Sequence, residues 1–328
     1  MAEKDAITKE YMQDNEVFAD IFNYYMYDGR QMIKPEQLKP LDTTEIAVNY
    51  DSGNNSESVQ KYRDVLKRTA IMRDNKATYL ILGIENQSDI HYAMPVRNML
   101  YDAIQYDNQV KNTAKKHRQN KEKAETQGEY ISGFYSSDKL TPVISLTLLW
   151  NADEWTAPTD LYSMLDADKE MLRYISNYKL NLVTPAGISE KDFEKFHTEL
   201  RYALKYVKYS KDKKALDEAI HEDSAYRKLS RRTANMVNVV TGSKLKFDEG
   251  KEDVDMCKAI EDMRNESEKI GMEKGMEKGM EKGAYDGKIE IATELLADGT
   301  LSHEKISKVT KLPIEKIKEL SKSMSITA

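Results

Sequence analysis

Tyr79-Leu80-Ile81-Leu82-Gly83-Ile84-Glu85-Asn86-Gln87-Ser88 ends an apolar run in a glutamate and a glutamine, and the reading of this stretch decides the fold. Runs of this length, rich in Leu, Ile and Tyr and closed by polar residues, form buried strands. Side chains alternate along a strand, so Glu85 and Gln87 share one face. Asp64 lies inside the preceding candidate strand, Tyr62-Arg63-Asp64-Val65-Leu66. Pairing the two strands gathers two carboxylates and an amide into one small polar site, a geometry suited to metal-dependent phosphodiester hydrolysis. A solvated acid at a strand end gives the same letters. Against that, a charge set among apolar neighbours is costly unless it is paired or metal-bound.

Upstream, Phe18, Ile21, Phe22 and Tyr25 recur at helical spacing within 14–27, with Glu16, Asp20 and Asn23 as a polar stripe and Asp28-Gly29 as a stop. Residues 51–60, with Gly53-Asn54-Asn55-Ser56, read as a loop. A helix follows near Pro95–Val110, periodicity is lost over 111–139, and Pro142–Trp150 reads as another strand. Helix, two or three strands, helix and strand make a small α/β module over 1–165. The stretch 166–265 is mostly helical in pattern apart from a short strand at Leu180–Val183. A repeat region (266–285) holds Gly-Met-Glu-Lys three times, starting at Gly271, and a tail of short helices (286–328) is broken at Gly299 and Pro313.

The chain has 328 residues, 40% apolar and 32% charged, and a formal net charge of −6. That is polar for a globular protein without being disordered, and it argues against a uniformly basic nucleic-acid binder while leaving room for a local basic patch. A single cysteine, Cys257, excludes an internal disulfide framework and fits a reducing cytoplasm. The N-terminus lacks a signal-peptide layout, and the apolar stretch Val143–Trp150 is too short to span a bilayer as a helix. A soluble, cytoplasmic protein without a membrane partner is expected. The five histidines are scattered, and no phosphate-binding loop, nucleophile elbow or dinucleotide fingerprint occurs.

Magnesium (or manganese) takes hard oxygen ligands and needs only one or two protein carboxylates. Asp64 and Glu85 are the candidate metal ligands, the Asn86 carbonyl is a third oxygen, and Gln87 can hold the attacking water. Arg97 and Tyr101, four apart on the following helix, share a face. Arg97 either binds a phosphate of DNA or holds the core acids in place. Asp20 or Glu16 approaches the metal as an accessory acid, or lies on an ordinary solvent-facing surface. The basic cluster Lys111, Lys115, Lys116, Arg118, Lys121 and Lys123 either tracks DNA phosphates or is a solvated loop. The four-residue spacing of Gly271, Gly275, Gly279 and Gly283 permits a homotypic helix contact, hence a homo-oligomer, or marks a flexible linker. The tail, two helices around Lys311-Leu312-Pro313, suggests a helix-turn-helix or a small packing module.

Several segments, in order, resemble the Rpn (recombination-promoting nuclease) family, also called PD-(D/E)XK nuclease family transposases. They are Asn15–Asn23, Tyr62-Arg63-Asp64-Val65, Gly83–Ser88, Met94-Pro95-Val96-Arg97 with Tyr101, Tyr130–Phe134, Thr141–Ile144, Trp155 and Leu161–Leu165. They span roughly half of the chain, and the repeat with its helical tail extends the likeness nearly to the end. The resemblance implies an α/β restriction-endonuclease-like core, with a mixed central sheet flanked by helices, that cleaves DNA with a divalent cation. Asp64 and Glu85 fall on the family's metal-binding acids, and Gln87 on a position held by lysine in the wider superfamily. A glutamine orients water but brings no positive charge to the developing phosphorane. The expected function is a metal-dependent DNA endonuclease of low sequence specificity, linked to recombination, mobile elements or phage defence. The alternative is a catalytically weak DNA-binding or assembly protein with a vestigial site.

Overall fold

The computed structural model describes residues 2–41, 44–48, 58–62, 64–73, 76–248 and 250–327. Arg63 and most of the expected loop, 51–57, lie outside the described residues.

The chain begins with helix α1 (Ala2–Gln13) and helix α2 (Asn15–Tyr27). Asp14 separates them and caps α2, its carboxylate accepting from the N–H groups of Glu16 and Val17. α2 is the helix expected from the apolar spacing: Phe18, Ile21 and Phe22 are fully buried. It stops where Asp28 turns left-handed, at φ 55°. Nothing in the sequence reading anticipated α1, whose buried stripe is only Thr8, Tyr11 and Met12.

A two-residue strand β1 (Lys39–Pro40) precedes a separate antiparallel hairpin, β2 (Thr44–Val48) with β3 (Ser58–Tyr62). Residues 58–60, read as loop, therefore belong to a strand. β4 (Val65–Arg73) and β5 (Lys76–Gln87) pair antiparallel, with Val65 opposite Ile84. After β5 come helix α3 (Met94–Asn120), helix α4 (Gln127–Ser132) and strand β6 (Val143–Leu149), which lies parallel to β5. Strand β7 (Asn181–Val183), at the place expected for a short strand, runs parallel to β6. The sheet order is β1-β4-β5-β6-β7, a mixed five-stranded sheet. β5 and β6 occupy its middle, so Leu82, Ile84, Leu146 and Leu148 are completely buried and their strands read as apolar runs.

α3 continues ten residues beyond the expected Val110 and takes in much of the stretch read as irregular. That half of the helix shows no apolar period because Ala114 is its only buried residue. α4 docks there: Gly133, at φ 67°, lies so close to α3 that a Cβ would sit 2.7 Å from the Ala114 Cβ. Glycine is required at that contact.

Lys67 on β4 is buried, donating from Nζ to the Gln13 carbonyl at 2.6 Å and to Asn15 Oδ1 at 2.7 Å, 4.6 Å above the Phe18 ring. Burial pulls its pKa down from the ordinary lysine value to about 8. The folded state therefore releases this proton more readily than the unfolded chain, and between about pH 8 and 10.5 stability rises with pH through this group. The slope is at most about 1.4 kcal/mol per pH unit. Lys67→Met should remove that slope in chemical denaturation series at pH 8 and pH 10. An unchanged slope would contradict the assignment.

Beyond β7 the chain forms short helices α5 (Glu190–Phe193), α6 (Leu200–Tyr209), α7 (Lys213–Glu222) and α8 (Arg231–Thr241), with the small strand pair β8 (Leu229–Ser230) and β9 (Asp253–Val254). α1 packs against both β5 and α8, so the sheet and this helical region form one compact unit, Met1–Ala259.

Ile260–Ala328 is the second compact unit. It contains most of helix α9 (Met256–Asp298), then α10 (His303–Thr310) and α11 (Ile314–Thr327). The Gly-Met-Glu-Lys repeat is helical within α9, with open space around each glycine from Gly271 to Gly287, and Met272, Met276 and Met280 are exposed. Ala292, Ile306, Leu312 and Ile317 give the tail a small core of its own.

Candidate active site at the end of the central strands

The antiparallel register that sets Val65 opposite Ile84 brings Asp64, in a bend just before β4, level with the end of β5. Asp64 is thus beside the strand rather than inside one. The Asn86 N–H donates to Asp64 Oδ2 at 2.8 Å, which ties the two chain segments together. Glu85 points to one face of β5 and is completely buried. α3 covers that face, docked by the Asn98 amide donating to Thr147 Oγ1 at 3.0 Å, and Thr147 is the residue beside Glu85 on β6.

One turn into α3, Arg97 Nη2 lies 3.3 Å from Glu85 Oε2, and Arg97 Nε donates to the Tyr101 hydroxyl at 3.0 Å. Burial alone would lower the Arg97 pKa, but the Glu85 charge and the Tyr101 hydrogen bond outweigh it and hold the guanidinium charged. Burial raises the Asp64 pKa, opposed by the Asn86 N–H and by the charges of Arg97 and Lys9. Gln87, half-buried, donates from Nε2 to the Asn86 carbonyl at 2.9 Å. Asn86 itself faces the other way and accepts from Trp150 Nε1 at 2.8 Å.

Asp64, Asn86, Gln87 and Arg97 line one open cavity of about 310 Å³. Asp5, Ser88, Asp89, Ile90 and His91 complete its wall, and Glu85 lies behind Arg97. The structure therefore brings Asp64, Glu85, Gln87, Arg97 and Tyr101 together. Lys115, Lys116 and Arg118 are exposed on the distal half of α3, about 27 to 32 Å from Arg97 at the helical rise per residue. Asp20 does not line the cavity. It is buried and its carboxylate accepts from the backbone of His197 and Thr198. An exposed or metal-facing Asp20 is replaced by a structural one, and Glu16 likewise does not line the cavity.

The acid that a helix does bring to the cavity is Asp5 of α1, which accepts from Ser88 Oγ at 3.3 Å. It is exposed, on the helical stripe of buried Thr8 and Met12, a signal present in the sequence but too short to register as a period.

Asp64 and Glu85, with the Asn86 carbonyl, are the hard oxygen donors that a small divalent cation would use. Among the described residues no group of three or more His, Cys, Asp or Glu side chains is arranged around a metal position. Magnesium needs only one or two protein carboxylates and keeps several waters.

The raised Asp64 pKa has a thermodynamic consequence. Its contribution to stability is greatest below the unfolded-state pKa and is lost as pH rises through the folded one, so at pH 7 the half-buried carboxylate is a net cost. Asp64→Asn keeps an acceptor for the Asn86 N–H. In metal-free buffer it is expected to raise Tm at pH 7, by more than at pH 4. A lower Tm at pH 7 would refute this.

A family model described as "Putative transposase, YhgA-like" matches residues 2–232. The chain belongs to this YhgA-like family. It is the Rpn transposase group that the ordered motifs resemble, and the match covers the sheet, the cavity and the helices through the start of α8. No curated protein and no solved structure gives a match. No helix among the described residues is long and apolar enough to cross a membrane.

Proposed function

We propose that this YhgA-like protein is a divalent-cation-dependent DNA endonuclease of low sequence specificity, with a core of the PD-(D/E)XK type. The observation that carries the reading is the joining of Asp64 to the end of β5 by the Asn86 N–H, beside Glu85 and Arg97 at an open cavity. The order of an antiparallel hairpin, a covering helix and a parallel strand supports the core type.

Asp64 and Glu85 would hold magnesium or manganese, which when bound neutralises phosphate oxygens and lowers the pKa of its water. Gln87 is two residues beyond Glu85 on the same face, and its amide oxygen would accept from the attacking water. Arg97 offers guanidinium hydrogens to a non-bridging phosphate oxygen, and its bond to Tyr101 fixes its tilt. The exposed Lys115, Lys116 and Arg118 would meet the DNA backbone about 8 base pairs away from the cut, for a duplex lying along α3.

The test is nicking of supercoiled plasmid by purified protein with and without magnesium. Nicking that needs the cation and is lost in Asp64→Ala supports the reading. Equal nicking by Asp64→Ala and Glu85→Ala would overturn the site. The ion pair of Glu85 with Arg97 favours a second reading, a vestigial site in a DNA-binding or assembly protein. That reading expects salt-sensitive DNA binding and no magnesium-dependent rise in Tm. The description of the family as a putative transposase supports a role with mobile elements and DNA as the partner. Homo-oligomerisation through the exposed Met and Gly faces of the repeat is a separate proposal, tested by light scattering of the full chain.

A further inference from the structure

The connection from β5 to α3 carries the only imidazole among the residues lining the cavity, His91. Ala93 occupies the N-cap position of α3 and has no side chain with which to cap it. The exposed His91 is held there from two sides. The Ala93 N–H donates to His91 Nδ1 at 3.2 Å, and the Met94 N–H donates to the His91 carbonyl at 3.3 Å. A ring nitrogen that accepts a hydrogen bond carries no proton, so this contact sets the neutral tautomer with hydrogen on Nε2. Nε2 has no hydrogen-bond partner among the described residues.

Apart from Arg97, the wall offers few free side-chain donors, and the Ser88 hydroxyl is turned to Asp5. Asp5, Asp64 and Asp89 are acceptors when ionised, and the Gln87 amide is turned to the Asn86 carbonyl. Arg97 gives Nε to Tyr101 and turns Nη2 to Glu85, so its remaining hydrogens serve one non-bridging oxygen of a phosphate and leave the other to a second donor. A phosphodiester entering this cavity gathers negative charge on two non-bridging oxygens as it reacts, and a donor held by the backbone stabilises that charge without reorganising. A neutral imidazole beside a helix N-terminus can serve as such an electrophilic donor.

We propose that His91 contacts the substrate, donating Nε2–H as a neutral imidazole to a non-bridging oxygen of the scissile phosphodiester. The proposal rests on the nuclease reading above, and it gives the second non-bridging oxygen a donor beside Arg97.

Two measurements test it. The first is a long-range 1H–15N spectrum of histidine-labelled protein, with His91 assigned by loss of its signals in His91→Asn, titrated with dimethyl phosphate. The expected result is an Nε2–H tautomer whose Nε2 resonance moves with the titrant. An Nδ1–H tautomer, or no movement, overturns the proposal whether or not the protein cleaves DNA. The second compares plasmid nicking. His91→Ala is expected to lower kcat by about 100-fold with the Kd for DNA unchanged. His91→Asn returns an acceptor to the Ala93 N–H without reaching the Nε2 position, so it should recover Tm but not kcat. Recovery of both would show His91 to be a helix cap alone. If wild-type protein nicks nothing with magnesium or manganese, the nuclease reading falls, and the titration alone decides the phosphate contact.

Discussion

Glu85→Gln is expected to reduce magnesium-dependent nicking by about 100-fold or more while the protein stays folded. The substitution is nearly isosteric, so the completely buried side chain keeps its packing between β5 and α3. What it removes is the charge. A divalent cation would then be held by Asp64 and neutral oxygens alone, and Arg97, 3.3 Å away, would lose the carboxylate it faces. The Arg97 side chain is 35% exposed, so solvent takes up part of that loss. A destabilisation of about 1–3 kcal/mol is expected, below the range for a fully buried pair. Two readouts separate the causes: urea denaturation gives the stability change, and nicking at a temperature where the variant is fully folded gives the activity change. Wild-type nicking by the folded variant would mean that the Glu85–Arg97 pair is structural and that the nuclease reading of the cavity is wrong.

The central strand was legible because it is buried on both faces, and such a strand announces itself as an apolar run with polar ends. The facing of Glu85 and Gln87 followed from the two-residue period alone. The position of Asp64 did not, because it depends on the register between β4 and β5, which no local pattern encodes. α3 was read only as far as its buried stripe extends. Lys111 to Asn120 are helical through propensity and a charged exterior, with Lys111 paired to Asp107 at 2.5 Å, and a solvated helix of that kind has no apolar period. Asp5 and His91 were missed for a related reason. Each reaches the cavity because α1 packs on β5 or because a connection folds back on the start of α3, and both are tertiary facts. Asp20 failed in the opposite direction. A polar stripe on an amphipathic helix reads as facing solvent or a metal, whereas the Asp20 partners lie 177 and 178 residues later in the chain.

Asp20→Asn is therefore expected to cost stability rather than catalysis. The Asp20 carboxylate receives the His197 N–H on both oxygens at 3.0 Å, the Thr198 N–H at 2.9 Å and the Thr198 hydroxyl at 2.7 Å. These donors stand just before α6, so one buried acid fastens α2 to the start of that helix. Asparagine offers a single acceptor oxygen and turns an NH2 group toward backbone N–H groups that cannot accept from it. Charge-assisted bonds to a buried carboxylate are each worth about 1.5–3 kcal/mol, and leaving a buried donor unpaired adds about 1–3 kcal/mol. A loss of about 3 kcal/mol is expected after partial rearrangement, a large share of the stability of an ordinary domain. Thr198→Val, which deletes only the hydroxyl, should cost about 1–2 kcal/mol in the same direction. Nicking per folded molecule should match wild type for both variants, because neither residue lines the cavity. Should Asp20→Asn keep its urea midpoint and lose magnesium-dependent nicking, Asp20 would be an accessory acid after all, and the route from α2 to the cation would have to be sought in a conformation other than this one.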